Sequence, residues 1–404
     1  MIRKAFGKFD PQEPLRLRGF EVYFKIRARK GLYAWRSDYP SVQRLLDHLQ
    51  RYTQSESSRE VYLNVLRRFC EWSSYDSEKL VQLPKFKVEK LVQDYVDGLA
   101  KEDRSKAYVN SLIRRLRTFF MVNGYVRSNE LNIRAYHVPA RYRKVPEYIP
   151  TKIEVHAMAN AAGSCRDRPI ILMLWSSGLR VSTLCALDYR DVDTELKNGN
   201  PHIMIPVYPE MKRRVPDACK GQISYYTFIC PEAGEALRIY VMEREEKYGK
   251  IKPKDPLFNS NWTLWNREER SSRRLGRRGV GLIVKRAARL AGIPRWKLVT
   301  PHCLRKAFES VLRSPTVDGG RMDKSTQEFL FGHILPGSQD PYYDRTKVDF
   351  HRTEYAKLNF SMDKMLGKAI DKLVPLAELE KCLGEGWMFV AKIDDRKVIV
   401  RRKW

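Results

Sequence analysis

The chain has 404 residues and a formal net charge of +28, with 43% hydrophobic and 11% aromatic residues. This apolar content excludes wholesale disorder, and the length suffices for two domains with separate cores. The charge far exceeds what solubility needs, which indicates a polyanionic partner such as nucleic acid.

Targeting and cofactor signals are missing from the sequence. It contains no run of about eighteen apolar residues and begins without the apolar core of a signal peptide, so we expect no membrane span. Its seven cysteines are scattered without C-x-x-C spacing, which argues against a disulfide framework and a zinc site. Phosphate-binding loops and clustered carboxylates are also missing. We therefore expect an intracellular, cytoplasmic protein without a metal or cofactor.

The N-terminal third is basic and then helical in pattern. Residues 1–40 form a basic segment with a short extended or hairpin stretch, and residues 41–137 show apolar residues at three- and four-residue spacing. This pattern predicts a small helical domain, with Ser105 capping its fourth helix. The arginines left on its surface suit the DNA backbone, although solvated helix faces are the plainer interpretation. They are Arg67, Arg68, Arg114, Arg115 and Arg117.

Residues 138–150 are predicted to be a linker, because three prolines hold the backbone extended. Arg141, Arg143 and Lys144 suit a strap over DNA. Thr151 is then expected to cap the first helix of a second domain, residues 151–365.

Within that domain an apolar helix, Ile170–Trp175, is interrupted by Ser-Ser-Gly, and Arg180 follows at the start of another helix. A helix N-terminus favours an anion, although an ordinary surface arginine is the commoner case. Next comes a predicted hairpin of residues 202–207 and 222–229, whose connection holds Lys212 and Lys220. A helix and a basic loop follow, and the loop either contacts phosphates or is simply solvated. Its arginines include Arg273, Arg274, Arg277 and Arg278.

Residues 301–343 gather His302, Arg305, His333, Tyr342 and Tyr343. His302 and Arg305 share a helix face at three-residue spacing, and Gly332 suits a helix C-cap before His333. Taken singly, each residue has an ordinary structural explanation. Together, two imidazoles, a guanidinium and a phenol are the groups needed to attack a phosphodiester with an oxygen nucleophile without a metal.

The ordered set GLRVSTLCALDYRDVD, HCLR, FGH and a tyrosine nine residues later resembles the catalytic domain of tyrosine recombinases, the phage, plasmid and Xer-type integrases. The resemblance covers about residues 150–359. It implies a mainly α fold with a small β-sheet (α+β), in which a helical core-binding domain and the catalytic domain form a clamp around DNA. The predicted C-terminal hairpin hints at archaeal-type integrases.

Carried over by position, the resemblance gives Arg180 and Arg305 as the pair that clamps the scissile phosphate. His302 and His333 donate to its oxygens. A hairpin lysine, Lys220 or alternatively Lys212, protonates the leaving group. Tyr342 is the nucleophile at the usual spacing, with Tyr343 as the alternative.

The chain departs from the family pattern at Thr183, where the family has an acidic residue three positions after the first arginine. Asp188 or Asp191 could replace that residue in orienting Arg180. Residues 352–374 are predicted to be helical, like the C-terminal helix that family members exchange between protomers. The tail, residues 366–404, is predicted to combine this helix with a β-hairpin around Asp394 and Asp395.

The resemblance implies a site-specific DNA recombinase or integrase, typical of mobile elements, that forms a 3′-phosphotyrosyl intermediate without ATP or metal. Its expected partner is double-stranded DNA, on which it forms a homotetramer, with a monomer as the free form. The alternatives are a nicking-closing enzyme like type IB topoisomerases and a non-catalytic DNA-binding protein with a decayed recombinase fold.

Overall fold

The computed structural model describes residues 23–27, 35–53, 56–125, 131–139, 147–260, 272–333, 346–360 and 370–402. Within these ranges the chain is mainly helical with small antiparallel sheets, which confirms the predicted α+β class. Its contacts separate two units, Met1–Pro146 and Glu147–Trp404. None of the helices in the described ranges is both long and apolar enough to cross a membrane.

The first unit is a helical bundle preceded by a short antiparallel strand pair. Its helices bury their periodic apolar residues in one core, which includes Phe69, Phe119 and Phe120. Ser105 caps the last helix by accepting a hydrogen bond from the Tyr108 N–H at 3.3 Å, as predicted. The elements are β1 Ile26–Arg27, β2 Arg36–Ser37, α1 Pro40–Tyr52, α2 Glu56–Ser73, α3 Ser77–Leu80, α4 Lys85–Lys101 and α5 Lys106–Val122.

The second unit is built around a fully buried helix. The predicted cap, Thr151, forms a reciprocal capping box with Glu154 at the start of α6 (Lys152–Asn160). The next helix, α7 (Asp167–Ser177), is buried along its whole length and ends at Gly178, whose φ is 61°. Because α7 is surrounded by other elements, the turn that follows it is fixed from several sides.

Short helices lead from this turn to the predicted hairpin. They are α8 Val181–Ala186 and α9 Asp193–Lys197, and the hairpin strands are β3 Ile203–Val207 and β4 Tyr225–Ile229. The strands pair antiparallel, with Ile203 opposite Ile229 and Val207 opposite Tyr225, so the predicted hairpin is confirmed with slightly shorter strands. Every residue of β4 is buried, and α7 and the later helix α13 pack against it.

Longer helices follow in the described ranges of this unit. One of them, α12, buries Leu304, Phe308 and Leu312 on one face and leaves its other face to solvent. The helices are α10 Pro231–Tyr248, α11 Arg277–Leu290, α12 Pro301–Arg313, α13 Lys324–Phe331 and α14 Val348–Ala356.

The tail forms a three-stranded sheet in the order β5-β7-β6, with a short helix before β6. The predicted hairpin is therefore confirmed as β6 and β7, but the helical prediction for residues 352–374 is wrong at its end, where β5 is a strand. Val374 packs against Val398 and Val400 of β7, and this long-range pairing overrides local helical preference. Arg401 anchors the sheet by donating to the Asn160 carbonyl at 2.7 Å. The elements are β5 Ile370–Pro375, α15 Leu379–Gly384, β6 Trp387–Lys392 and β7 Lys397–Arg402.

Candidate active site

The turn that carries Arg180 is held tightly against α12. A Cβ atom on Gly178 would lie 2.2 Å from the Phe308 ring, and its φ of 61° is in the left-handed region, so this position requires glycine. Arg180 occupies the N-cap position of α8 without a side-chain capping bond, and it is half-exposed. Its guanidinium forms no hydrogen bond or ion pair with the residues that the structure describes. It is a fixed cation that is available to an anion.

Arg305 ties two helix ends together. One guanidinium nitrogen, Nη1, donates to the Gly178 carbonyl after α7, and Nη2 donates to the Phe331 carbonyl at 2.7 Å at the end of α13. Carbonyl groups at helix C-termini lack intrahelical partners and carry partial negative charge, so they suit a guanidinium. The same group lies 3.8 Å from the Phe331 ring centroid. Arg305 therefore joins the turn before Arg180 to the turn before His333.

The two arginines are electrostatic neighbours. Burial lowers the pKa of the Arg305 guanidinium to about 10, and the positive charge of Arg180 contributes to that lowering. Arg305 remains positive at neutral pH. Bringing like charges together in a water-poor site costs free energy, which a bound phosphate would offset.

Tyr225, the first residue of β4, is a member of this cluster that the sequence did not reveal. Burial raises the pKa of its phenol, while the nearby charges of Arg305 and Arg180 oppose the increase. Its hydroxyl is buried and has no hydrogen bond of acceptable geometry with the described residues. The sequence does not mark this tyrosine as a site residue, because tyrosines are common in strands for packing alone.

His333 follows the left-handed Gly332 that ends α13, as predicted. Its Nδ1 atom lies 2.6 Å from the Glu328 carboxylate, and its ring meets the Phe331 ring edge-on at 4.7 Å. Glu328 was also missed from the sequence. Its signal is a carboxylate one turn before a Gly-His helix end, which becomes meaningful only once the cap geometry is known.

His302 lies in the first turn of α12 and is exposed, with Nε2 4.0 Å from the Glu147 carboxylate. Glu147 also pairs with Lys306, one turn further along the helix. The structure thus brings Arg180, Arg305 and the segment bearing His333 together, while His302 lies near Glu147.

The candidate lysines lie in the connection between β3 and β4. Lys220 is exposed and directly follows Cys219, and Lys212 is half-buried. Burial raises the pKa of the Cys219 thiol, and the charges of Lys212 and Arg180 oppose that increase. The connection therefore lies beside Arg180.

Asp188 and Asp191 do not orient Arg180, so that expectation is wrong. Asp188 pairs with Arg274 at 2.5 Å and with Arg214 at 3.0 Å, and Asp191 pairs with Arg214 at 2.9 Å. Arg274 also donates to the Cys185 and Leu187 carbonyls. Although predicted as a DNA contact, Arg274 thus has an internal role.

The other predicted DNA-binding residues lie at the surface to different degrees. Arg68, Arg114 and Arg278 are exposed, and Arg67, Arg115 and Arg273 are half-buried. Arg277 pairs with Asp217 at 2.5 Å. Arg141, Arg143, Lys144, Tyr342 and Tyr343 lie outside the described residues.

Comparison with known proteins gives consistent matches. Residues 151–319 match the phage integrase family. The tyrosine recombinase XerA of Thermococcus kodakarensis is 25% identical over 318 residues, covering 78% of this chain and 93% of the relative. The tyrosine recombinase XerC of Thermodesulfovibrio yellowstonii is 27% identical over 281 residues, covering 67% and 82%.

A solved structure of the Tn1549 transposon integrase in complex with circular intermediate DNA shares the fold. It has a TM-score of 0.50 at 16% identity and covers 78% of this chain and 99% of the integrase chain. The fold, the matched domain over residues 151–319 and the named relatives support an enzyme of the tyrosine recombinase family.

Proposed function

We propose that this recombinase cleaves and rejoins double-stranded DNA at specific sites through a 3′-phosphotyrosyl intermediate. The observation that carries the proposal is the pair Arg180 and Arg305. Arg305 donates to the Gly178 carbonyl, two residues before Arg180, so the two positive charges are kept close although they repel. Guanidinium groups bind phosphate oxygens in pairs of hydrogen bonds and supply the charge compensation that the transition state needs. The net charge of +28 and the DNA complex of the Tn1549 integrase support DNA as the polyanion.

In the proposed reaction, the Tyr342 oxygen attacks the scissile phosphorus, its proton passes to a histidine of the site, His302 or His333, and the bond to the 5′-oxygen breaks. Lys220 gives its proton to that leaving oxygen, with Lys212 as the alternative donor. Arg180, Arg305, His302 and His333 hold the non-bridging oxygens.

A 5′-hydroxyl from a partner strand then attacks the phosphotyrosine, restores the phosphodiester and releases the phenol. One phosphoester replaces another of similar energy, so the exchange needs no ATP. We extend the proposal to four protomers on paired DNA sites, because strand exchange between two duplexes involves four strand ends.

The test uses sheared genomic DNA from the organism that encodes the chain, lightly nicked so that small released fragments diffuse away. Covalent protein–DNA adducts are captured under denaturing conditions in the presence of EDTA, and the attached DNA is sequenced. We expect the wild type to form adducts at a defined sequence. Either Tyr342→Phe or Tyr343→Phe, but not both, should abolish them and identify the nucleophile.

Lys220→Ala and Lys212→Ala should differ in the same assay. We expect the first to slow adduct formation and the second to have little effect, and the opposite order would assign the proton donor to Lys212. Tight duplex binding without any adduct would instead support a non-catalytic DNA-binding protein.

A further inference from the structure

We propose that Glu328 is a positioning residue for His333, which it orients toward the scissile phosphate. The inference rests on the proposed function and adds a residue to its site. Glu328 Oε2 lies 2.6 Å from His333 Nδ1, a short charge-assisted contact.

The backbone fixes this contact from both sides. The His333 N–H donates to the Glu328 carbonyl at 3.0 Å, which closes the end of α13 over the left-handed Gly332. A Cβ atom on Gly332 would lie 2.3 Å from the Tyr225 ring, so this turn is pressed against β4. The edge-on Phe331 ring, 4.7 Å away, supports the imidazole from a third direction.

The contact determines which nitrogen of His333 is available. A carboxylate accepts hydrogen bonds, so the hydrogen must lie on Nδ1. Nε2 is then the nitrogen left for other partners, and in the imidazolium form it also carries a hydrogen. Oriented in this way, the imidazolium form of His333 can donate from Nε2 to a non-bridging phosphate oxygen.

A purely stabilising role is a poor explanation for the pair. The His333 side chain is 42% exposed and the Glu328 side chain 25% exposed. Ion pairs this accessible contribute little to stability. The Phe331 carbonyl, two residues before His333, also accepts from Arg305 at 2.7 Å, so the pair lies beside the arginine cluster.

The experiment compares Glu328→Ala and Glu328→Gln with a matched control, Glu354→Ala. Glu354 pairs with Lys357 at 2.5 Å and its side chain is 20% exposed, but it belongs to α14 and has no proposed role in catalysis. Adduct formation is timed on the DNA sequence recovered with the wild type. Nitrogen NMR of isotopically labelled histidine, with the His333 signal assigned through His333→Asn, reports which ring nitrogen carries hydrogen.

We expect Glu328→Ala to slow adduct formation by on the order of tenfold or more, as for other supporting partners of functional histidines. Its His333 signal should lose the Nδ1–H preference. Glu328→Gln should keep most of the rate, because its amide oxygen still accepts from Nδ1–H. Glu354→Ala should match the wild type in both measurements.

A Glu328→Ala rate equal to that of Glu354→Ala would overturn the inference. Equal slowing by Ala and Gln would also overturn it, because charge rather than orientation would then be what matters. If the wild type forms no adduct at all, the proposed function fails, and the NMR comparison alone decides whether Glu328 orients the ring.

Discussion

Arg180 and Arg305 have the same side chain but different structural roles. Arg305 is buried and bound to two helix-end carbonyls, whereas Arg180 is half-exposed and makes no hydrogen bond or ion pair with the described residues. We therefore predict that Arg305→Ala lowers the free energy of unfolding by about 3 kcal/mol, because two charge-assisted hydrogen bonds are lost and two carbonyls are left buried. Arg180→Ala should change it by about 0.5 kcal/mol or less.

Both variants should nevertheless reduce adduct formation by about 100-fold or more, since each removes a phosphate ligand. Urea unfolding and the covalent-adduct assay provide the two measurements. Equal losses of stability in the two variants would contradict the division of roles.

Tyr225 provides a further test at the scale of residues, and this test concerns stability alone. Its buried hydroxyl lies beside the Arg305 guanidinium but makes no hydrogen bond of acceptable geometry with the described residues, and a buried polar group in that state costs free energy. Tyr225→Phe keeps the ring that packs under Gly332 and removes only that oxygen. We predict that it raises the free energy of unfolding by about 1 kcal/mol, measured by urea unfolding. A clear loss of stability would show that the hydroxyl has a favourable partner in the free protein.

At the scale of elements, the Gly332 turn is expected to be the most sensitive part of α13. Gly332→Ala combines a left-handed backbone with a collision 2.3 Å from the Tyr225 ring. Gly292, after α11, has a similar φ of 72° but nothing within 4 Å of its would-be Cβ, so it isolates the backbone cost. We predict that Gly292→Ala costs about 1 kcal/mol and that Gly332→Ala costs about 2 kcal/mol more.

Thermal or urea unfolding of the two variants measures this difference. Gly332→Ala should also slow adduct formation, because the turn orients His333. Equal losses of unfolding free energy in the two variants would mean that Tyr225 moves aside for the added methyl group at little cost.

The sequence predicted the elements whose signals are local. Helix caps and glycine helix ends depend only on residues that are close in sequence. The predicted caps at Ser105 and Thr151 and the glycine ends of α7 and α13 are all present. The strand β5 was missed because it is stabilised by pairing with β7, which lies more than twenty residues later in the sequence. The contacts of Glu328 depend likewise on how the chain folds back, and this cannot be inferred from spacing alone.

For the whole molecule, only part of the net charge of +28 is available for binding DNA at the surface. Part of it holds the second unit together, as with Arg274 on Asp188 and Arg305 on helix-end carbonyls. The exposed arginines, such as Arg278, Arg68 and Arg114, are better placed for phosphate contacts. A basic stretch of the sequence contains both internally paired and exposed arginines, and the sequence alone does not distinguish them because it does not show their partners.

Arg274 and Arg278, four positions apart in one basic stretch, provide the final test. Arg278 is exposed, so Arg278→Ala should weaken binding to a duplex of arbitrary sequence and reduce the slope of log affinity against log salt by about 1. Arg274→Ala leaves the buried Asp188 with one partner fewer and should lower the free energy of unfolding by about 3 kcal/mol. Fluorescence anisotropy over a salt series and urea unfolding measure the two effects. A salt slope reduced equally by both variants would show that Arg274 leaves Asp188 when DNA binds.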